Sequence, residues 1–383
     1  MVPTDTWGYY QPTRIVFGPS RIREVGGYAV GRTLVVTTPG ATSRGLTEKV
    51  VGIVGTERVI VHDRVQANPS MDRLDLAMDE LRRESIDTIV AVGGGSAIDT
   101  GKVLSIGLAM PGATSRELIA RGQALEDVAP IRLIAVPTTA GTGAEVTPFA
   151  TVWDDAARRK HSLGSARLHP SVAVVDPELA LDLPWDATLG PGLDALVQCL
   201  EAIWNLRASP ITSTLAEHGL ALAAPALVTL RGTPSSIAAR SDLARAALFS
   251  GLAISQTRTA LAHSMSYPIT AHHGLPHGLA CALVGPAVLE FNLAADDGRL
   301  SAAIHRATGA DEPIGWMLDR YRDLGVAAAV RRYLPDLTKL YAHASEMLTP
   351  GRSNNNQRAA DLDDVRSILR RTVELLGHGG MNR

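Results

Sequence analysis

Four of the eleven histidines, His263, His272, His273 and His277, fall within fifteen residues of one another in the segment LAHSMSYPITAHHGLPHG. Upstream, Asp194 and Gln198 stand four apart in GLDALVQCLEAIW, a spacing that puts both side chains on one face of a predicted helix. A carboxylate and several imidazoles brought from separate elements suit a divalent first-row metal with one position left open for substrate. The plain alternative is a set of histidines satisfied in a core. Pro276 and Gly278, which pin the loop around His277, favour ligation.

A second chemical signal lies in residues 92–102, VGGGSAIDTGK, where a strand ends in three glycines and a serine and runs directly into a helix. Glycine lets backbone approach a pyrophosphate closely, and the N–H groups and dipole of the following helix hold the anion. A tight strand-to-helix turn is the bland reading, and the spacing is not the GxGxxG fingerprint. Residues 137–145, PTTAGTGAE, follow another predicted strand and supply Thr138, Thr139 and Thr142 as hydroxyl donors. Two such loops at adjacent strand ends converge on one crevice in an open α/β sheet. Only four of the 37 basic residues are lysines, so Lys102 and Lys160 stand out as compact ammonium groups in an arginine-rich chain.

These groups need a scaffold. The first half alternates short apolar runs at 33–38, 59–62, 88–92, 133–136 and 172–175 with helix-like segments at 70–84 and 97–110, the pattern of βαβ units. The second half is rich in Ala and Leu, with helical spacing over 194–205, 211–230, 236–255, 315–324 and 362–376 and a polar loop at 353–357. Two prolines in DPELALDLPWD stop periodic structure at the junction. The predicted fold is an α/β dinucleotide-binding domain with a parallel sheet over 1–183, followed by an all-α metal- and substrate-binding domain over 184–383.

Composition agrees with an ordinary globular protein. With 45% hydrophobic and 20% charged residues and a mean hydropathy of +0.07, the chain falls outside the disordered and collagen-like classes. A net charge of −2 without a basic run argues for small-molecule partners over nucleic acid or a membrane surface. Two cysteines make no disulfide framework and the first ten residues carry no secretory signal, so the expected location is the cytoplasm. The longest uncharged apolar stretches, 219–230 and 278–289, are about half of a bilayer span.

Taken together, GGGSAIDTGK, PTTAGTGAEVT, the VDPELALDLP junction, GLDAL, and HSMSYPIT followed by GLPHG resemble the iron-containing (group III) alcohol dehydrogenase family over essentially the whole chain. The resemblance implies hydride transfer between a nicotinamide cofactor and a carbonyl, in the cleft between a nucleotide-binding α/β domain and an all-helical metal-binding domain. It also implies a homodimer. By position, Gly94, Gly95 and Ser96 would hold the pyrophosphate, Thr138, Thr139 and Thr142 would line the cofactor cleft, Lys160 would reach the nicotinamide ribose, and Asp99 is the acid of the same motif. Asp194, Gln198, His263 and His277 would bind the metal.

Three positions depart from the family pattern. Gln198 stands where the family has His; an amide oxygen is a harder and weaker ligand, which favours Fe²⁺ or Mn²⁺ over Zn²⁺. Tyr267 stands where many members have a His that assists proton transfer, and either Tyr267 or His273 could take that role through water. Thr38 replaces an Asp that binds the ribose 2′-hydroxyl in NAD-using relatives, and Arg44 lies close enough in sequence to meet a 2′-phosphate, so the cofactor is NADP(H) or NAD(H).

Within the family, SQTRTALAHSMSYPIT is most similar to the phosphonoacetaldehyde reductases of phosphonate natural-product pathways, which implies reduction of a small anionic aldehyde to 2-hydroxyethylphosphonate. Arg258 would pair with the phosphonate. On one continuous helix it would sit about 140° around and ~7.5 Å along from His263, so it faces the site only if the helix breaks between them. Rival expectations are another group III alcohol dehydrogenase or maleylacetate reductase-like enzyme, a sugar-phosphate cyclase-like lyase that uses NAD⁺ only transiently, and a noncatalytic binding protein suggested by Gln198 and Tyr267.

Overall fold

The computed structural model describes residues 6–157 and 159–377. By internal contacts it divides into two compact units. One comprises Gln11–Thr139 and Gly143–Ala180; the other holds the segment up to Tyr10, Ala140–Thr142 and the chain from Leu181 onward. The division thus takes Thr142 and the N-terminal segment out of the first half and into the helical unit. Tyr9 Oη donates to Leu252 O at 3.4 Å, and Gly141 lies so close to Pro191 that a Cβ would stand 2.6 Å from its ring.

The α/β unit carries strands β1 (Arg14–Phe17), β2 (Thr33–Thr37), β3 (Val59–His62), β4 (Thr88–Gly93), β5 (Arg132–Pro137), β6 (Phe149–Asp154), β7 (Arg159–Gly164) and β8 (Val172–Val175). Six form a parallel sheet in the order β1-β8-β5-β4-β2-β3, and β6 and β7 form a separate antiparallel hairpin. Alternate residues leave the sheet on opposite faces. Leu34, Val36, Ile89 and Ala91 join one core, and Val35, Val90 and Val92 another. Strands buried on both faces read as unbroken apolar runs, which is why β2, β4, β5 and β8 are legible in sequence; β3 is an apolar edge strand with Val61 exposed. The mixed runs RIVF and RKHSLG of β1 and β7 are not.

Helix Gly95–Gly107 follows β4 and lies against β4, β5 and β6; Gly101 permits the approach, since a Cβ there would meet that of Ala91 at 2.7 Å. Lys102 stands on this helix. It is fully buried, and its Nζ donates to Thr147 O and Phe149 O, both at 2.7 Å, and to Thr147 Oγ1 at 3.1 Å. All three ammonium hydrogens are used in tying the helix to the entry of β6, so Lys102 is a structural cation and not a phosphate ligand.

The helical unit centres on helices Trp185–Ile203, Pro210–Gly232, Ile237–Thr257, Leu261–His273 and His277–Leu293. Their starts follow capping chemistry: Ser209 and Thr212 form a reciprocal box, and the Ser236 hydroxyl accepts from Ala239 N. Helix Pro210–Gly232 is long and apolar enough by composition to cross a membrane, longer than the 219–230 stretch suggested. Here it packs against Trp185–Ile203 and Ile237–Thr257, with Ala216, Leu220, Ala223 and Leu227 in the core. The expected polar loop at 353–357 is packed structure. Asn355 is buried and donates to Thr259 O at 2.9 Å, and Asn356 pairs with Asn292.

Candidate active site

Strands β2 and β4 are neighbours, yet the chain leaves β2 toward β3 on one side and β4 toward β5 on the other. Ligands of open α/β sheets bind outside the carboxyl ends of the strands at such a switch. The predicted cofactor residues gather there: Thr38 after β2, Gly94, Gly95 and Ser96 after β4, and Thr138 and Thr139 after β5. Gly93 turns the chain at φ +155°, where a Cβ would clash with Ala97 at 2.6 Å; its carbonyl accepts from Thr138 N at 2.9 Å, joining the β4 and β5 loops. Thr139 Oγ1 stands 3.0 Å from where a Cβ on Gly94 would lie. No side chain caps helix Gly95–Gly107, which leaves its first N–H groups for an anion.

At the rim, Thr38 Oγ1 accepts from Ala41 N at 3.2 Å and caps the short helix Pro39–Ser43. The Arg44 guanidinium folds back over this turn, 3.4 Å from the Cβ position of Gly40. Asp99 Oδ2 accepts from Thr151 N at 2.9 Å. Burial raises the Asp99 pKa, against the opposing charges of Lys102 and Lys160. Lys160, opposite Trp153 in the hairpin, is therefore within electrostatic reach of Asp99.

In the helical unit, helix Trp185–Ile203 presents Asp194, Gln198 and Glu201 along one face, all buried. Helix Leu261–His273 brings His263 near its start, and His277 opens the next helix behind Pro276. Gly278 makes that approach feasible, since a Cβ would stand 1.9 Å from Gly190 O. Asp194 Oδ1 lies 3.1 Å from His263 Nε2 and 4.0 Å from His277 Nε2, and Cys281 Sγ lies 3.8 Å from His277 Nε2. One donor atom from each of Asp194, His263, His277 and Cys281 lies within 4.8 Å of every other. A carboxylate, two imidazoles and a thiol gathered so closely fit a divalent transition metal.

Outer groups orient these donors. Glu201 Oε2 stands 2.7 Å from His263 Nδ1 and Ser266 Oγ 3.3 Å from His277 Nδ1, while both Nε2 atoms face Asp194. Burial opposes a proton on His263, but Cys281, Glu201 and Asp194 together hold its pKa well above the usual range. Gln198 is turned differently from the expectation of a ligand. Its Nε2 donates to Asp194 Oδ2 at 3.1 Å, the oxygen not facing the histidines, and its Oε1 accepts from Ser250 Oγ at 2.9 Å.

The helix does break before His263: Ile237–Thr257 ends, and the next helix begins at Leu261. Arg258 stands in the break at φ 61°, ψ 179°, a region nearly reserved for glycine that costs of order 1–3 kcal/mol. Its carbonyl accepts from Asn205 Nδ2 at 3.2 Å and Thr257 Oγ1 at 2.8 Å. Burial and then the charges of Arg352 and Arg207 lower the pKa of the Arg258 guanidinium, so both lie within electrostatic range of it. Arg352 Nε donates to Tyr267 Oη at 3.2 Å, and the Tyr267 ring stacks on His277 with centroids 5.9 Å apart.

Tyr267 thus joins the group, one turn beyond His263. His273 does not: its ring packs edge-on to His343, and it lies about 15 Å along the helix from His263. Sequence reasoning missed Glu201, Cys281 and Arg352. Glu201 continues the Asp194 face at i+7 and Cys281 follows His277 at i+4, so both had a periodic signal. Arg352 had none in an arginine-rich chain.

Two family models match in succession: iron-containing alcohol dehydrogenase over residues 12–177, and the C-terminal model of the Fe-containing alcohol dehydrogenase family over 188–373. The chain belongs to the iron-containing alcohol dehydrogenase family. Among its curated relatives, a phosphonoacetaldehyde reductase of Streptomyces viridochromogenes is 41% identical over 255 residues, 66% of this chain and 63% of the relative, so this match spans less than two thirds of that protein. A sulfoacetaldehyde reductase of Bilophila wadsworthia is 27% identical over 96% of this chain and 99% of its own. Among solved structures, sulfoacetaldehyde reductase from Bifidobacterium kashiwanohense in complex with NAD⁺ superposes with a TM-score of 0.85 at 26% identity, covering 96% of this chain and 98% of that one.

Proposed function

We propose that this protein is a metal-dependent NAD(P)H oxidoreductase that reduces a small anionic aldehyde to its primary alcohol, with phosphonoacetaldehyde as substrate and 2-hydroxyethylphosphonate as product. The observation that carries the anionic substrate is Arg258 in the helix break, within electrostatic range of Arg352 and Arg207, with Arg352 bonded to Tyr267, which itself stacks on His277. Guanidinium groups that share one neighbourhood offer forked donors suited to a phosphonate or a sulfonate. The named activities of two similar proteins, on a phosphonate and a sulfonate aldehyde, support the same class.

Asp194, His263 and His277 would hold the metal, which when bound supplies Lewis-acid polarisation of a carbonyl, while the reduced nicotinamide supplies hydride. Gly94, Gly95, Ser96 and the open helix start would bind the pyrophosphate, with Thr138, Thr139, Thr142, Asp99 and Lys160 around the cofactor. Thr38 and Arg44 admit a 2′-phosphate. Arg258 anchors the substrate anion and orients it. Tyr267, whose oxygen accepts from Arg352 and whose ring stacks on His277, is better placed as proton relay than His273. A role in phosphonate antibiotic biosynthesis, a cytoplasmic location and a homodimer complete the proposal.

The test is oxidation of NADPH and NADH by metal-loaded protein with phosphonoacetaldehyde, sulfoacetaldehyde, maleylacetate and propionaldehyde. The dianionic phosphonate is expected to lead in kcat/KM, and Arg258→Ala should remove that lead, a loss of about 2–3 kcal/mol or roughly 30- to 150-fold. Equal rates with uncharged aldehydes, or an unaffected Arg258→Ala variant, would refute the anion assignment. Absence of any net NAD(P)H consumption would refute the reductase.

A further inference from the structure

We propose that Cys281, and not Gln198, is the fourth protein ligand of the metal. This rests on the metal-dependent reading above and concerns which side chain completes the set. Gln198 has the expected sequence position, one turn after Asp194, but the two oxygens of Asp194 are divided. Oδ1 faces His263 and His277, whereas Oδ2 accepts from the Gln198 amide. A nitrogen that donates to a carboxylate has no lone pair for a metal, and the amide oxygen points away from Asp194 toward Ser250 Oγ, 2.9 Å off. Gln198 thus serves as a positioning residue behind Asp194.

Cys281 lies on the other side of the group. It follows His277 by one helical turn, is fully buried, and its Sγ is 3.8 and 3.9 Å from the two ring nitrogens of His277. Tetrahedral N, O and S donors at the usual 2.0–2.3 Å from a first-row ion stand about 3.3–3.8 Å from one another. Donor atoms already within 4.8 Å need close by only about an ångström to reach that spacing. On metal entry the S–H bond breaks, its proton leaves to solvent, and the sulfur lone pair forms the metal bond; no redox change is involved. A thiolate is soft where an amide is hard. The resulting Asp-His-His-Cys set shifts preference toward Zn²⁺ and away from Fe²⁺ and Mn²⁺, opposite to what Gln198 alone implies.

Cobalt(II) substitution reads this directly. Enzyme stripped of metal and reloaded with Co²⁺ should show a near-ultraviolet thiolate-to-cobalt charge-transfer band. The band should survive in Gln198→Leu and vanish in Cys281→Ser, and Cys281→Ser should also weaken Zn²⁺ in chelator competition by about a hundredfold or more. Because the band is read first in the unaltered protein, a variant that fails to fold does not protect the idea. Stoichiometric cobalt without the band, or a band that persists in Cys281→Ser, would overturn the Cys281 assignment while leaving the metal reading intact. Failure of the unaltered protein to bind cobalt or zinc would overturn both.

Discussion

Glu201 Oε2 stands 2.7 Å from Nδ1 of His263, while the same carboxylate accepts from Ala260 N at 2.7 Å and His263 N at 3.1 Å. One buried group thereby fixes the start of the helix that carries His263 and sets a carboxylate against its ring, whose Nε2 faces Asp194. Such outer carboxylates raise ligand basicity and hold the tautomer. Glu201→Gln keeps the shape but loses the charge, and is expected to weaken metal binding 10- to 100-fold in a chelator competition. Unchanged affinity would assign Glu201 to packing alone.

Thr38 caps helix Pro39–Ser43 through its hydroxyl, a task that aspartate performs equally well, so Thr38→Asp should fold normally. Its new charge would repel a 2′-phosphate. The ratio of kcat/KM for NADPH over NADH should fall about tenfold or more, 1.4 kcal/mol of discrimination. An unchanged ratio would show that this turn does not contact the ribose.

Lys102 is buried within electrostatic range of Asp99 and Glu145 and donates to the 147–149 backbone. Burial lowers its pKa to about 8, and burial raises that of Glu145 to about 7. Lys102→Met should destabilise the fold by ~3–5 kcal/mol in urea unfolding, because two carboxylates and two carbonyls lose their cation. A loss below about 1 kcal/mol would contradict the structural role.

Burial holds His169 down at about pKa 4, with the Lys102 charge acting in the same direction. The unfolded chain takes up a proton near the ordinary value of 6.5, so as pH falls from there to about 4 the unfolded state is favoured and stability declines. Below about 4 the cost is complete; above 6.5 it is absent. His169→Gln should therefore flatten the loss of stability between about pH 7 and about pH 4.5 in parallel urea titrations. An unaltered slope would place the acid sensitivity elsewhere.

The parallel sheet and the glycine turn were legible because their signals are local. Runs such as TLVVT and TIVAV are apolar throughout, since β2 and β4 are covered on both faces, and helical spacing alone aligned Asp194 with Gln198. Hairpin β6–β7 stayed hidden because its residues alternate without a continuous apolar run. The identity of the reacting groups also had local support. His263 and His277 stand out by density, and Thr38 by its place after a strand.

Composition and periodicity thus determined the two kinds of unit and the stretches that bear the chemistry. Tertiary packing decided which donor atoms meet. Gln198 and Cys281 occupy equivalent i+4 positions after Asp194 and His277, yet only the packing of helices Trp185–Ile203 and His277–Leu293 directs the one to Asp194 Oδ2 and the other to the histidines. Arg352 reaches Tyr267 from 85 residues away, and Lys102 turns from the phosphate turn to a strand 45 residues on. Helix and strand periods govern neighbours within a few residues, whereas contacts across such distances are set by how buried faces fit together, which no single stretch of sequence contains.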